Sequence, residues 1–268
     1  MKYIIDNDLH IHSKISLCAH DDKEQNSERI LSYAIANNLK TICLTDHFWD
    51  ETVEGAFENY KIQNFKHISA SLPLPQVDGV RFLFGCETEL DKNCTLGLSK
   101  DNYDLFDFIV IPTTHFHMKG HTLFENDILN AQTRAEAWIK RLDAVLQMNL
   151  PFHKIGIAHL TCRLIAPERT EYLRTLSLLP EKDLRKLFSK AEQLGVGIEI
   201  NADDIEFSKE EIDYVLRPYR IAKECKCKFY MGSDAHHPED LDKATLYFKK
   251  AVDLLELEEK DKYIIIDR

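Results

Sequence analysis

The chain has 268 residues, 44% of them hydrophobic and 29% charged, which is typical of a globular protein with one large domain or two small ones. Its net charge of −11, without any cluster of Lys and Arg, argues against a groove for long DNA or RNA. No segment approaches the roughly 18 apolar residues of a membrane span. Acidic residues begin at Asp6, too early for a signal peptide, so we predict a cytoplasmic protein.

Strand-like and helix-like runs alternate along the whole chain. Short apolar runs predict strands at 3–10, 41–45, 80–86, 108–111, 154–158, 197–201 and 228–231, and a small terminal strand at 263–266. Caps and apolar periodicity predict helices after Asn26 or Ser27, at about 60–70, 128–147, 181–194 and 241–255, and after a capping box at 208–211. The segment 48–79 is predicted to be an insertion or a long loop.

Repeated strand–helix units predict a parallel sheet covered by helices. Seven such units favour a closed or nearly closed barrel over an open sheet. No Gly-rich loop follows the first strand, so a dinucleotide-binding or P-loop fold has no support. We therefore predict an α/β fold, a seven-stranded TIM-like (β/α)7 barrel that forms a single domain over residues 1–268.

The seven cysteines do not form a recognisable metal motif. Their number is odd, and none are spaced as Cys-x-x-Cys. Cys225 and Cys227 lie two apart, but no second pair completes a zinc site. We predict reduced and mostly buried thiols.

Histidine and acidic residues recur where the predicted strands end. His10 and His12 project from one face of the first strand, and two imidazoles on one face can chelate one metal ion. In β/α barrels the active site lies at the carboxyl ends of the strands. Six of the twelve histidines fall at that rim, and His20 in the loop after the first strand is a further candidate. The rim residues are His10, His12, Asp46, His47, Glu87, His115, His159, Asn201, Asp234 and His236.

These residues lie in motifs that resemble, in order, those of the PHP (polymerase and histidinol phosphatase) family. The motifs are Asp8-Leu9-His10-Ile11-His12-Ser13, Thr45-Asp46-His47, Gly85-Cys86-Glu87, Thr114-His115, Ala158-His159 and Gly232-Ser233-Asp234-Ala235-His236. The resemblance spans nearly the whole chain, from Asp8 to His237. It implies a distorted seven-stranded barrel, a cluster of three divalent metals and hydrolysis of phosphoesters. It is closer to a stand-alone histidinol-phosphatase-type enzyme than to a polymerase domain.

The resemblance also implies three sets of metal ligands. The first metal is assigned to His10, His12, Glu87 and Asp234, the second to Glu87, His115 and His159, and the third to His20, His47 and His236. Histidine with carboxylate suits zinc, manganese or iron. The predicted catalytic residues are Asp234, His236 and Arg163; Arg163 lies four residues past His159 and is expected to grip a phosphate.

Several other polar residues are candidates for supporting roles. Asp8 and Asp46 precede ligands and are predicted to orient imidazoles. Glu89 shares a strand face with Glu87, and only the resemblance favours Glu87 as the ligand. A residue of the loop after the fourth strand is a candidate for contacting the substrate or protonating the leaving group; the candidates are His117, Lys119 and His121.

The predicted function is metal-dependent hydrolysis of a small phosphate monoester by attack of a metal-bound hydroxide, with histidinol phosphate, a metabolite of histidine biosynthesis, as the leading substrate. The alternative is a phosphodiesterase or exonuclease that acts on short oligonucleotides or nucleotides. An amidohydrolase-type barrel and a catalytically inactive binding protein are weaker alternatives. The expected partner is a small phosphorylated substrate, recognised by the polar, irregular segments 48–79 and 162–180; neither a membrane nor long nucleic acid is expected.

Overall fold

The computed structural model describes residues 1–19 and 22–265. Short, buried strands, all paired in parallel, alternate with helices over this part of the chain. The strands are β1 (Asn7–Ile11), β2 (Thr41–Leu44), β3 (His47–Phe48), β4 (Arg81–Phe84), β5 (Cys86–Thr88), β6 (Ile109–Pro112), β7 (Ile155–Ala158), β8 (Gly197–Asn201) and β9 (Lys228–Gly232). The seven main predicted strand regions are therefore confirmed, although the first strand begins later than predicted. Residues 263–265 of the predicted terminal strand do not form a strand, and Ile266 lies outside the described residues.

The strands divide into two sheets. One has the order β1-β2-β4, and the other has the order β3-β5-β6-β7-β8-β9. The division falls at two interruptions, because β2 and β3 are separated by Thr45 and Asp46, and β4 and β5 by Gly85. A Cβ atom at Gly85 would lie 2.4 Å from the carbonyl oxygen of Phe108, so only glycine allows the backbones to approach this closely.

A closed seven-stranded barrel is not confirmed. The last strand, β9, lies beside β1, but side-chain oxygens replace the backbone ladder between them. Asn7 Oδ1 accepts from the amide of Met231 at 2.9 Å, and Asp8 Oδ1 accepts from the amide of Ser233, also at 2.9 Å. Backbone pairing resumes only beyond the strand, where the Asp234 amide donates to the His10 carbonyl at 2.7 Å.

The strands nevertheless enclose a small core of their own. Most of its buried side chains come from the two sheets, joined by Phe108 just before β6 and by Tyr263 after the last helix, and they form a cluster separate from the main core beneath the helices. They are Leu9, Cys43, Leu83, Phe108, Val110, Ala158, Tyr230 and Tyr263. Because strand side chains alternate, these residues define the inner face of a curved parallel array, whose carboxyl ends stand above this core.

The helices cover the outer faces of the strands. They are α1 (Ser27–Ala36), α2 (Phe65–Ile68), α3 (Ala131–Gln147), α4 (Arg169–Leu178), α5 (Glu181–Leu194), α6 (Ile212–Val215), α7 (Arg217–Glu224) and α8 (Pro238–Leu255). The Asn26 side chain caps α1, and Gly195, with φ of 73°, ends α5, as predicted. Helix α3 begins three residues later than predicted, because the Asn130 side chain forms a capping box there.

Two segments differ from the prediction. Only α2 and a short 3-10 turn form where a helix over 60–70 was predicted, and 48–79 is otherwise a long loop. The segment 162–180, predicted to be irregular, contains α4, whose buried Tyr172 and Leu176 pack into the main core. No helix within the described part of the chain is both long and apolar enough to cross a membrane.

Candidate metal centre

A cavity of about 300 Å³ opens where the strands end. Two of the residues that line it, His47 and Glu87, lie in the short strands β3 and β5, and the others lie in segments that follow strands, so the fold brings distant segments together at one rim. The lining residues are Cys18, His47, Tyr60, Glu87, His115, His117, Met118, His159, Leu164, Asp234 and His236.

Glu87 lies at the centre of the cluster. Its side chain is 1% exposed, and its Oε1 lies 3.6 Å from His10 Nε2 and 3.4 Å from His159 Nε2. Its Oε2 lies 3.4 Å from His12 Nε2 and 2.7 Å from His47 Nδ1. Neither oxygen forms a hydrogen bond of acceptable geometry. Burial alone would raise the pKa of Glu87, but His47 and His10 hold it well below its usual value, so the carboxylate is charged.

Asp234, which lies just after β9, faces the same imidazoles. Its Oδ1 lies 3.1 Å from His12 Nε2 and 3.3 Å from His10 Nε2, and its Oδ2 lies 3.5 Å from His159 Nε2. Burial opposes ionisation, yet His10 and His159 keep the pKa of Asp234 well below its usual value. Asp234 and His159 both adopt left-handed backbone conformations, with φ of 53° and 61°. Such strain at non-glycine residues is concentrated at functional sites.

Glu199 on β8 orients two of these groups and was missed by sequence analysis. Its Oε1 accepts from His10 Nδ1 at 2.6 Å, and its Oε2 accepts from the His159 amide at 3.0 Å. The bond to Nδ1 leaves His10 Nε2 facing Glu87 and Asp234. Burial alone would lower the pKa of His10, but Glu199, Asp234 and Glu87 raise it to about 10. The sequence did contain a signal for Glu199: it is a glutamate inside an otherwise apolar strand, and a buried carboxylate requires a partner.

Asp46 orients His12 through an intervening serine. Ser16 Oγ donates to Asp46 Oδ1 at 2.9 Å and accepts from His12 Nδ1 at 2.9 Å, so Nε2 of His12 faces Glu87 and Asp234. Asp8, the other predicted supporting residue, instead accepts from the backbone amides of His10 and Ser233 and from the Tyr33 hydroxyl. Asp8 therefore joins β1 to the segment after β9 rather than orienting a ring.

Glu89 supports His115. The two side chains form a short contact between Glu89 Oε1 and His115 Nδ1, and both are buried. The loop that carries His115 is held by Arg141 of α3, which is 2% exposed and donates to four backbone carbonyls. The accepting residues are Leu90, Asp91, Thr113 and Thr122. Of the two neighbouring glutamates, Glu87 thus stands at the centre and Glu89 lies behind His115.

The outermost group includes a residue that was not predicted for the site. Donor atoms of His12, Cys18, His47 and His236 all lie within 4.8 Å of one another. Burial raises the pKa of the Cys18 thiol, but His47 and His236 outweigh it and lower that pKa to about 5. His20, predicted to complete this group, lies outside the described residues.

The remaining predicted residues fall at or beyond the edge of the cavity. The Arg163 side chain is 57% exposed, lies 3.2 Å from Glu206 Oε2 and borders a different cavity. His117 lines the metal cavity with an exposed side chain, and partial desolvation together with His115 lowers its pKa to about 4. His121 is 2% exposed and packs among Trp49, Phe57 and Tyr60, with ring centroids 5.3 to 5.5 Å apart. Lys119 is exposed.

The donor set fits divalent metal ions. Four overlapping groups of side chains each bring their donor atoms within 4.8 Å of one another in the described part of the chain. They are His12, Cys18, His47 and His236; His10, His12 and Asp234; His10, Glu87 and His159; and Glu87, Glu89 and His115. The Glu87 oxygens are buried and charged, lack hydrogen bonds and face ring nitrogens. Polar atoms in this situation are expected where a bound cation would supply the missing partner.

Comparison with known proteins identifies the class to which this fold and site belong. The PHP domain model matches residues 8–203, so the chain belongs to the PHP domain family. The Asp234 and His236 motif lies beyond the matched range, and only the fold brings it to the other candidate ligands. A search of curated proteins found no match.

Two solved structures share the fold. Histidinol phosphate phosphatase from Lactococcus lactis subsp. lactis Il1403, complexed with zinc, L-histidinol and phosphate, has 17% identity and a TM-score of 0.51, and covers 92% of this chain and 93% of its own. A protein from Listeria monocytogenes, provisionally assigned as a histidinol phosphatase, has 14% identity and a TM-score of 0.60, and covers 87% of this chain and 96% of its own.

Proposed function

We propose that the chain is a metal-dependent phosphatase that hydrolyses a small phosphate monoester, with histidinol phosphate as the leading candidate. The observation that carries this proposal is Glu87. Its carboxylate is buried and charged, has no hydrogen bond to either oxygen, and is surrounded by four imidazoles. A buried carboxylate requires a compensating charge, which protonated imidazoles supply in the metal-free protein and divalent cations would supply in the loaded one.

The proposed ligand roles follow the family resemblance, and the donor groups of the structure support them in part, because Glu87 lies close to His159 and, in a separate group, to His115. His10, His12, Glu87 and Asp234 would hold one ion, Glu87, His115 and His159 a second, and His47 and His236 a third. Zinc, manganese and iron suit this donor set. The chemistry that such ions supply is activation of water at neutral pH and neutralisation of charge on phosphoryl oxygens.

The chain's own residues orient three of the imidazoles for metal binding. Glu199 keeps a proton on Nδ1 of His10, Ser16 does the same for His12, and Glu89 does so for His115. With Nδ1 of each ring engaged, Nε2 is the atom left to bind a metal. In His10, whose pKa is raised to about 10, a bound ion would displace the proton from that nitrogen. These contacts also fix the ring planes, which reduces the entropy lost when a ligand set forms.

The charge of the cavity favours a substrate that binds through metal. None of the described residues lining it is Lys or Arg, while Glu87 and Asp234 are anionic. A phosphate dianion would be repelled from this cavity unless cations intervened. The size of the cavity suits a small monoester, and Tyr60, His117, Met118 and Leu164 are placed to contact its organic part. The neighbour that holds L-histidinol and phosphate supports the choice of leading substrate.

The test is phosphate release by protein that has been stripped of metal and reloaded with zinc or manganese. The substrates are histidinol phosphate, sugar and nucleotide monophosphates, and bis(p-nitrophenyl) phosphate as a diester. We expect metal-dependent hydrolysis of a monoester, its loss in Glu87→Gln, and wild-type activity in the exposed control Glu181→Gln. Preference for the diester would support the phosphodiesterase alternative, and activity retained in Glu87→Gln would refute the metal-centred proposal.

A further inference from the structure

One thiol stands among the imidazoles of the cavity. Cys18 belongs to a 3-10 turn, Leu17–Ala19, in the loop after β1. It forms, with His12, His47 and His236, a set that we term the outer cluster, whose donor atoms all lie within 4.8 Å of one another. The turn is held in place, since the Leu17 amide donates to the buried Gln63 side chain at 3.2 Å.

The imidazoles of the outer cluster are oriented by the protein. His236 Nδ1 bonds to the Asp234 carbonyl oxygen at 2.7 Å, which leaves Nε2 as its available donor atom. The ring of His236 stacks on that of His12, with centroids 4.2 Å apart and an interplanar angle of 15°. His47 Nδ1 lies 2.7 Å from Glu87 Oε2, so its Nε2 remains available. Two rings therefore each have a nitrogen free for a ligand beside the thiol.

A second, independent feature indicates a cation here. Glu87 is buried without a hydrogen bond to either carboxylate oxygen, and its Oε2 faces His47 and His12 of the outer cluster. An anionic oxygen in this position is the expected neighbour of a bound cation, not of an apolar packing residue.

We propose that Cys18 is a thiolate ligand of a divalent ion held with His47 and His236, and that this position therefore selects zinc over manganese. The inference rests on the proposed metal-dependent function and adds a ligand type that the sequence resemblance did not supply. Thiolate with two imidazoles is a donor set typical of zinc, whereas manganese prefers oxygen and nitrogen ligands.

The other described cysteines have different surroundings. Cys43 and Cys86 are fully buried in the cores and have raised pKa values because burial disfavours the thiolate. Cys162 contacts Thr114 Oγ1 at 3.2 Å. Cys225 is half-buried and lies 3.7 Å from Ser189 Oγ, far from the cavity in the fold, so it provides a matched control.

Cobalt substitution provides a readout that does not depend on activity. Metal-free protein is titrated with Co²⁺, and the sulfur-to-cobalt charge-transfer band in the near ultraviolet is recorded for the wild type, Cys18→Ser, Cys18→His and Cys225→Ser. We expect the band in the wild type and in Cys225→Ser only. Elemental analysis after zinc loading should show that Cys18→Ser loses one equivalent of zinc and that Cys18→His retains it.

The outcomes separate this inference from the proposed function. A band that persists in Cys18→Ser, or cobalt bound by the wild type without a band, overturns the thiolate assignment and leaves the metal centre in place. A wild type that binds no metal overturns the proposed function itself. If Cys18→Ser does not fold, iodoacetamide labelling of wild-type Cys18, read by mass spectrometry, decides: zinc should protect the thiol, and equal labelling with and without zinc refutes the inference.

Discussion

Replacing Glu199 with Gln tests whether the residue behind the ligands controls metal binding. Glu199 accepts hydrogen bonds on both oxygens, from His10 Nδ1 at 2.6 Å on one side and from the His159 amide at 3.0 Å and Asn201 Nδ2 at 3.2 Å on the other. Glutamine keeps the size of the side chain but turns one acceptor into a donor. In either amide orientation a donor then faces a donor, so one set of bonds is lost.

The magnitude follows from the bonds that are lost. A hydrogen bond to a charged group contributes about 1.5–3 kcal/mol. If the amide nitrogen faces His10, the ring must move its proton to Nε2, which removes the lone pair that faces the cavity. Since about 1.4 kcal/mol corresponds to a factor of ten, metal affinity should fall by about 10- to 100-fold, in the range typical of residues that support ligands.

The assay is competition for zinc with a chelator of known affinity, performed on the wild type, Glu199→Gln and the exposed control Glu181→Gln. Urea denaturation of the metal-free proteins accompanies it, so that a general loss of stability is distinguished from a change in affinity. A zinc affinity of Glu199→Gln equal to that of the wild type, with both proteins folded, would refute the role assigned to Glu199.

Three further predictions concern stability and pH. Gly232→Ala places a Cβ 2.0 Å from Glu199 Oε1, so thermal unfolding should occur at lower temperature and zinc content should fall; an unchanged melting temperature would contradict this close packing. Arg141→Met leaves four buried carbonyls without their donor and should cost about 3 kcal/mol in urea unfolding, whereas a loss below about 1 kcal/mol would show that other donors replace it. Burial raises the pKa of Asp204 from 3.8 to about 6, so the folded state binds this proton more tightly than the unfolded state does. The resulting stabilisation is about 3 kcal/mol. It is present below pH 4 and is lost as pH rises through 6. Asp204→Asn should flatten the pH–stability curve between pH 4 and 6, and an unchanged curve would refute the contribution assigned to Asp204.

The sequence by itself determined the parallel α/β class and most of the residues that the fold gathers into the candidate metal centre. Buried parallel strands must be apolar on both faces, so a polar residue directly after such a strand is conspicuous, and His115 and His159 were identified in this way. His10, His12, Glu87 and Asp234 were placed in motifs, and the structure brings the two imidazoles within 3.1 to 3.6 Å of the two carboxylates. Helix starts with a side-chain cap, such as that at Asn26, were also predictable because capping is local.

Only the tertiary structure decided which polar groups meet behind and beside those ligands. Glu199 contacts His10 across 189 positions of sequence, and no local pattern encodes a pairing of that length. The same holds for Cys18, whose spacing predicted an ordinary thiol until the fold set it against His47 and His236. The gap in backbone pairing between β9 and β1 depends likewise on side chains of Asn7 and Asp8. Local periodicity reports which face of an element is buried, but the partner on that face is chosen by packing between distant segments.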